Sequence, residues 1–329
     1  MLTMIFSETL KENLAVLKST PFFALVIAAE IFLSNFHYRK VYNWKETATN
    51  FFLSLLNGGL DLLVRSVYLV VLVYAWNYHL VIIESPWIYW TVLILGIDLL
   101  MYWLHRMEHF CRLFWAAHVT HHSAEHMNCT VEFRTSVFQP LYRFVFFIPL
   151  AWLGFAPIDI FFVYSLMQTW GLFVHTELVK KLGWLEYVMV TPSHHRVHHA
   201  SNVKYLDKNM GFLLIIWDKL FGTFQEELPA TAYEPIRYGL TKPLENKNPA
   251  NIIFHEWVGI WKDMRRNDIR WNTKMKYLFK PPGWSHDGSR QTSNEMRQLH
   301  ISSPHEIHAV DDICGSNQRQ DHPVRQQAH

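Results

Sequence analysis

Two apolar runs, Ser66 to Ile83 and Trp87 to Leu104, are separated only by Glu84-Ser85-Pro86, and as helices each is long enough to cross the hydrocarbon of a bilayer. A hairpin of that kind returns the chain to the side it left. That side carries Arg39, Lys40, Lys45 and Arg65, and an excess of Lys and Arg marks a cytoplasmic face. The second run passes without a break into His105, so whatever His105 begins is built at that face. The apolar residues, 50% of the chain, are gathered into such blocks, as in a membrane protein. A net charge of +2 gives no case for nucleic acid. Cys111, Cys129 and Cys314 are far apart and form no C-x-x-C, so neither a disulfide framework nor a zinc ribbon is indicated.

Residues 1–20 lack the short apolar core and small-residue site of a removable signal peptide. The run Pro21 to Phe36 is apolar except for Glu30 and slightly short for a span. Gly58, Gly59, Asp61 and Arg65 are expected to interrupt the next apolar stretch. A second hairpin is expected between Phe138 and His175, turning at Gly154 to Asp159. Pro140 and Arg143 weaken its first arm and favour a re-entrant segment. The run Ile252 to Met264 reads as an interfacial or packing helix. After Pro281-Pro282-Gly283 the composition turns polar, and 285–329 reads as a mostly disordered tail whose histidines are solvated. The expected fold is an all-α integral membrane protein with about four to five membrane helices. Its divisions are membrane helices in 21–104, a histidine-rich region in 105–228, a cytosolic or interfacial cap in 229–284, and the tail.

The chemistry is concentrated in HRMEH at 105–109, HVTHH at 118–122, His175 in FVHTE, and HHRVHH at 194–199. Helix positions i, i+3 and i+4 share a face, so His118, His121 and His122 can converge on one point, as can His195, His198 and His199. His105 and His109 are one turn apart. Imidazole suits iron, zinc, copper and nickel, and eight or nine imidazoles exceed the needs of one ion. Two metals are the natural count. Both hairpins deliver these groups to the same face, which argues for one shared site. Asp98 follows the spacing of Tyr102, His105 and His109, and a carboxylate at that depth needs a partner; it is expected to accept a hydrogen bond from a ligand histidine of another segment. His194 could flank His198 as a ligand or stand behind the ligands.

HRMEH, HVTHHS, FVHTE and TPSHHRVHH, followed by DKNMGFLLIIWDKLFGTF, resemble the fatty acid hydroxylase or sterol desaturase superfamily of membrane di-iron enzymes, and within it the alkylglycerol branch. The resemblance covers roughly residues 20 to 285, with SPW at 85–87, YGLTKP at 238–243 and PGW at 282–284. It implies a bundle of membrane helices capped by a cytosolic histidine-rich domain, two irons, and oxidation of a lipid C–H bond by dioxygen. It further implies iron-ligand roles for His105, His109, His118, His121, His122, His195, His198 and His199, with His175 as a ninth ligand. Glu125 matches an acidic residue that the alkylglycerol branch associates with pterin dependence, so tetrahydrobiopterin or a redox partner is the expected electron donor. The branch continues into further hydrophobic helices where this chain turns polar, which leaves the lipid open. Sterol or acyl desaturation is the nearest alternative. A zinc hydrolase would need a base placed as in H-E-x-x-H, where Glu108 does not stand. A metal transporter would line a path through the membrane rather than gather its ligands at one face.

Overall fold

The structure is a computed structural model that describes residues 21–36 and 40–302. The expectations for residues 1–20, for Arg39 and for the tail beyond 302 lie outside the described residues. Among the described residues the secondary structure is helical, with two isolated β-bridges, Met189 to Leu214 and Ala200 to Tyr238, and no strand. Three helices are long and apolar enough to cross a membrane: α2 (Trp44–Asn77), α3 (Pro86–Phe110) and α6 (Pro157–Val174). α1 (Pro21–Phe36) is apolar but shorter. Its Glu30 is buried and accepts hydrogen bonds from Cys129 N at 2.7 Å, from Tyr42 and from Thr176, which docks α1 on the loop beside His175.

α2 starts where the Asn43 side chain accepts from Lys45 N and Glu46 N, and it runs through Gly58, Gly59, Asp61 and Arg65 without the expected interruption. Asp61 pairs with Arg65 one turn on and with Arg143 of the second hairpin, so the polar residues are satisfied inside the bundle and the helix continues. The first hairpin loop is longer than its composition suggests. α2 ends at Asn77 and α3 begins at Pro86, because the apolar residues 80–83 are used to dock the second hairpin's turn. Leu80 N donates to Trp152 O at 2.7 Å and Trp76 Nε1 to Gly154 O at 3.2 Å. Gly154 has φ +96°, and a Cβ there would lie 2.2 Å from Val81 O, so the close approach requires glycine.

The weak first arm of that hairpin is built from 3-10 turns, Gln139–Leu141 and Arg143–Phe147, followed by α5 (Ile148–Trp152). It is tied to α2 at one end by Asn57 Nδ2 donating to Ser136 O, and at the other by the Trp76 to Gly154 bond. The matching stretch of α2 rises about 28 Å, so the arm reaches the far turn instead of doubling back as a re-entrant segment. Leu72, Leu93, Ile97, Phe144, Phe147, Phe161 and Met167 pack where α2, α3, the arm and α6 meet. In lipid such contacts hold by close packing, since the hydrophobic effect gives little between helices.

The remaining helices gather at the end of the bundle where α3 finishes: α4 (Arg112–His122), α7 (Pro192–His199), α8 (Ile216–Phe221), α9 (Pro249–Met264), α10 (Trp271–Phe279) and α11 (Ser293–Ser302). α9 buries Ile252, Ile253 and Ile260 and leaves Phe254, Val258 and Trp261 exposed along another face. Residues 285–302, expected to be disordered, are structured. Arg290 makes two bonds to Asp263 at 2.7 and 2.8 Å, and Arg297 reaches Leu206 O. His286, expected in solvent, lies 2.9 Å from the Tyr277 hydroxyl through Nδ1. Asp263 also receives Arg112 at 2.6 Å, so a shared carboxylate fastens this segment to α4.

Candidate metal centre

Four helices present the histidines, the ends of the long α3 and α6 and the short α4 and α7. α3 ends at Cys111, whose extended backbone (φ −131°, ψ 117°) turns the chain sharply into α4. α7 begins with Pro192 at its first position and Thr191 as N-cap, and His175 follows the last turn of α6. Nine imidazoles then form two groups. His105, His109, His118, His122 and His198 offer nitrogens within 4.8 Å of one another, and so do His121, His175, His195 and His199.

Each H-x-x-H-H string is therefore divided between the groups, which corrects the expectation that it converges on one point. His118 and His122 serve the first group and His121 the second; His195 and His199 serve the second and His198 the first. Residues i and i+4 differ by about 40° around a helix, whereas the intervening i+3 residue points about 100° from i+4. α4 and α7 thus each span both groups, with their roles exchanged.

The nitrogens face one another through Nε2. In the first group His105 to His118 is 3.1 Å, His109 to His122 3.2 Å and His122 to His198 3.1 Å. In the second, His175 lies 3.3 Å from His121, 3.2 Å from His199 and 2.8 Å from His195. Metal–imidazole bonds of about 2.1 Å place neighbouring donors of one shell about 3.0–3.4 Å apart, which is the spacing found here.

The opposite ring nitrogens fix the tautomers. Nδ1 of His105 lies 3.0 Å from Met210 O, that of His198 3.0 Å from Lys208 O, that of His121 3.2 Å from Arg134 O and that of His175 2.7 Å from Gly171 O. A backbone carbonyl only accepts, so Nδ1 carries the proton and Nε2 turns a lone pair inward. Several lone pairs converging at this range repel unless a cation lies between them. Carboxylates support the same orientation. Asp207 Oδ1 is 3.1 Å from His109 Nδ1, Glu132 Oε2 is 3.1 Å from His175 Nδ1, and Glu108 Oε2 is 3.2 Å from His118 Nδ1, though out of line for a hydrogen bond. Such neighbours raise the basicity of a ligand imidazole.

Burial, reinforced by the neighbouring imidazoles, holds His118, His121, His122, His195, His198 and His199 well below the ordinary 6.5. Because the folded-state values are depressed, the unfolded chain binds more protons in acid. The resulting stability is fully present above about pH 6.5 and is lost as pH falls below it. The melting temperature of the metal-free protein in detergent should accordingly be level from pH 8 to 7 and drop between pH 6.5 and 5. A flat profile across that window would mean that the histidines are not buried together.

The other expected site residues are placed differently. Asp98 touches no histidine; it accepts from Leu213 N at 2.8 Å, Leu214 N at 3.1 Å and Trp217 Nε1 at 2.8 Å. Its role is one step removed, since it holds the loop whose Met210 carbonyl orients His105. His194 joins neither group. Its Nδ1 accepts from Thr191 N at 3.3 Å in a capping arrangement, and its Nε2 is 3.2 Å from Glu186. Glu125 is exposed, pairs with Lys247 at 2.6 Å, and belongs to neither histidine group. Sequence reasoning missed Glu132, Asp207 and Met210. Asp207 left a trace in the string DKN, because Asp207 (φ 51°) and Asn209 (φ 55°) adopt the left-handed backbone that Asp and Asn tolerate. Glu132 left none: its carboxylate lies against Gly171, 2.7 Å from where a Cβ would stand, so a side chain there would have to displace it.

Two openings adjoin the histidines. A cavity of about 70 Å³ lies between the groups, bounded by His105 and His118 on one side and His121, His175 and His195 on the other, with Met101, Leu104, Val174 and Phe212 toward the bundle. A cleft of about 870 Å³ reaches the outer edges of His109, His122, His198 and His199 and is walled by Arg112, Asp207, Lys242, Glu245 and Arg290.

The fatty acid hydroxylase family model matches residues 90–223, which contain all nine histidines. The alkylglycerol monooxygenase of Homo sapiens is 38% identical over 275 residues, covering 81% of this chain and 59% of that protein. That of Xenopus tropicalis is 36% identical over 281 residues, with the same coverage of 81% and 59%. A Delta(7)-sterol 5(6)-desaturase of Gibberella zeae is 26% identical over 157 residues, 46% of each chain. No solved structure matches the chain. This chain thus spans about 59% of the length of the alkylglycerol monooxygenases of Homo sapiens and Xenopus tropicalis. With the histidine strings, the matched span and these relatives in agreement, the chain belongs to the fatty acid hydroxylase family.

Proposed function

We propose that the protein is a membrane-bound, di-iron, dioxygen-dependent enzyme that hydroxylates a C–H bond of a lipid, with alkylglycerol-type ether lipids as the first substrate class to test. The observation that carries this reading is the pair of all-imidazole groups, five and four strong, bordering one cavity that Met101, Leu104, Val174 and Phe212 line beside the polar Glu108, Gln139 and Gln168. Neutral imidazoles without thiolate or carboxylate suit a ferrous ion, and a shell of four or five leaves coordination positions open. When bound, the irons supply reduction of dioxygen and removal of hydrogen from carbon. The net reaction is RH + O2 + 2 electrons + 2 protons giving ROH + H2O.

The chain's residues divide the remaining tasks. The carbonyls and carboxylates behind the rings hold the donors in place before any ligand arrives. Met101, Leu104, Val174 and Phe212 keep water from the side on which a lipid chain approaches. The polar cleft gives a water-borne donor, tetrahydrobiopterin or a redox protein, access to the outer ring edges. Glu125 stands behind that cleft's wall: its Cγ is the closest atom, at 3.2 Å, to a Cβ built on Gly239. We place the histidine-rich end at the cytoplasmic face, on the strength of Lys40, Lys45, Arg106 and Arg112 at that end. The exposed Phe254, Val258 and Trp261 of α9 then meet the bilayer surface.

Metal analysis by mass spectrometry on anaerobically purified protein should give about two irons per chain. Incubation with 18O2, a reductant and a lipid panel should give a hydroxylated product carrying one labelled oxygen. An alkene without label would assign desaturation, the reaction named for the Gibberella zeae relative. Zinc alone, with no iron under anaerobic handling, would defeat the oxygenase reading.

A further inference from the structure

Thr135 sits just after the 3-10 turn Cys129–Phe133, in a segment clamped on both sides. Arg134 donates to Thr120 O at 3.0 Å, Asn50 Oδ1 at 2.9 Å and Ser123 Oγ at 2.8 Å, and its own carbonyl faces His121 Nδ1. On the other side the Ser136 carbonyl accepts from Asn57 Nδ2 at 2.7 Å and from Gln139 N at 3.1 Å. Between these clamps Thr135 Oγ1 is buried and has no hydrogen-bond partner within the protein. The residue lines the cavity between the two histidine groups together with His105, His118, His175 and His195 and the polar Glu132, Gln139 and Gln168.

A buried hydroxyl is normally satisfied, and threonine off a helix usually finds a nearby backbone group. Valine has the same shape and no polar atom to desolvate, so an unpartnered threonine here is the costlier choice for packing alone. The clamps prevent it from turning its backbone to find a partner. A partner from outside the chain, a molecule in the adjoining cavity, would satisfy it. At about 70 Å³ the cavity holds a few water-sized molecules and is too small for a lipid chain.

We propose that the Thr135 hydroxyl is the hydrogen-bond donor that orients the small oxygen ligand lodged between the two histidine groups, water at rest and dioxygen during turnover. The proposal rests on the oxygenase reading above. The hydroxyl shares its proton in a hydrogen bond and undergoes no covalent change.

The test compares Thr135→Val with Thr135→Ser in three assays. In metal-free protein, Thr135→Val should melt at or above the unmodified protein, because no internal hydrogen bond is lost. In the cobalt(II)-loaded protein, azide serves as the small-ligand probe, followed by its visible absorption. Loss of one donor should weaken azide binding about tenfold in Thr135→Val, with Thr135→Ser close to the unmodified protein. In the iron-loaded enzyme, product formed per dioxygen consumed should fall several-fold in Thr135→Val and be restored in Thr135→Ser, with KM for the lipid unchanged. Unaltered azide affinity and unaltered coupling in Thr135→Val would overturn the proposal. So would a lower melting temperature of metal-free Thr135→Val that Thr135→Ser restores, since that would reveal an internal partner. If the unmodified protein consumes no dioxygen, the oxygenase reading fails, and the cobalt–azide titration still decides whether Thr135 binds a small ligand.

Discussion

His175→Ala should hold about one metal against the two proposed for the intact chain, and its product formation should fall by at least about a hundredfold. His175 is the hub of the smaller group: its Nε2 lies within 3.3 Å of the Nε2 of His121, His195 and His199. Removing it leaves three donors around an enlarged space, and the Glu132 carboxylate loses the ring it stands behind. The larger group is more tolerant. His105→Ala leaves His109, His118, His122 and His198, a complete four-nitrogen set, so it should keep measurable metal there while binding it more weakly. His194→Ala, outside both groups, should retain both metals and show only the stability loss of a weakened α7 cap. Metal counts after anaerobic reconstitution decide the matter. Two metals in His175→Ala, or one in His194→Ala, would show that the groups are drawn wrongly.

Asp98→Ala carries the second large effect, on stability and only through it on metal. The substitution leaves three buried donors, Leu213 N, Leu214 N and Trp217 Nε1, without an acceptor. The cost is about 4 kcal/mol or more, a large part of the stability of an ordinary domain. The same loop is bracketed on its other side by Asp218, which accepts from Met210 N at 2.6 Å and Gly211 N at 2.7 Å. Between these carboxylates lies Met210 O, the carbonyl behind His105. Asp98→Ala should therefore unfold at markedly lower temperature in detergent and recover little metal. Asp98→Asn keeps one acceptor oxygen, and should retain both metals with roughly half the stability loss. Equal melting temperatures for Asp98→Ala and the unmodified protein would remove the loop from the account of the site.

The strongest readings of the sequence rested on strict local periodicity. The apolar run ending at Leu104 and the histidines at 105 and 109 belong to a single helix, α3, and the i, i+4 pairs 118/122 and 195/199 meet as their spacing requires. Readings that failed depended on partners distant in the chain. Asp61 and Arg65 look like a break in α2 until Arg143, nearly eighty residues on, is known to stand beside them. Residues 80–83 look helical by composition, yet they take up the turn at Gly154. The tail around Arg290 looks disordered by composition and is fastened by Asp263.

By itself, then, the sequence determined which imidazoles are available and that they exceed the needs of one ion. Helical spacing and the number of imidazoles are properties of the chain alone. Only the tertiary structure decided which nitrogen serves which group, that Asp98 supports a loop and not a ring, and that Glu132 and Asp207 stand behind His175 and His109. On a helix, i+3 lies about 60° to one side of i and i+4 about 40° to the other, so spacing separates them, but which set faces which group depends on the angle at which a second helix crosses. That angle is set by packing across the bundle, which no local pattern of residues encodes.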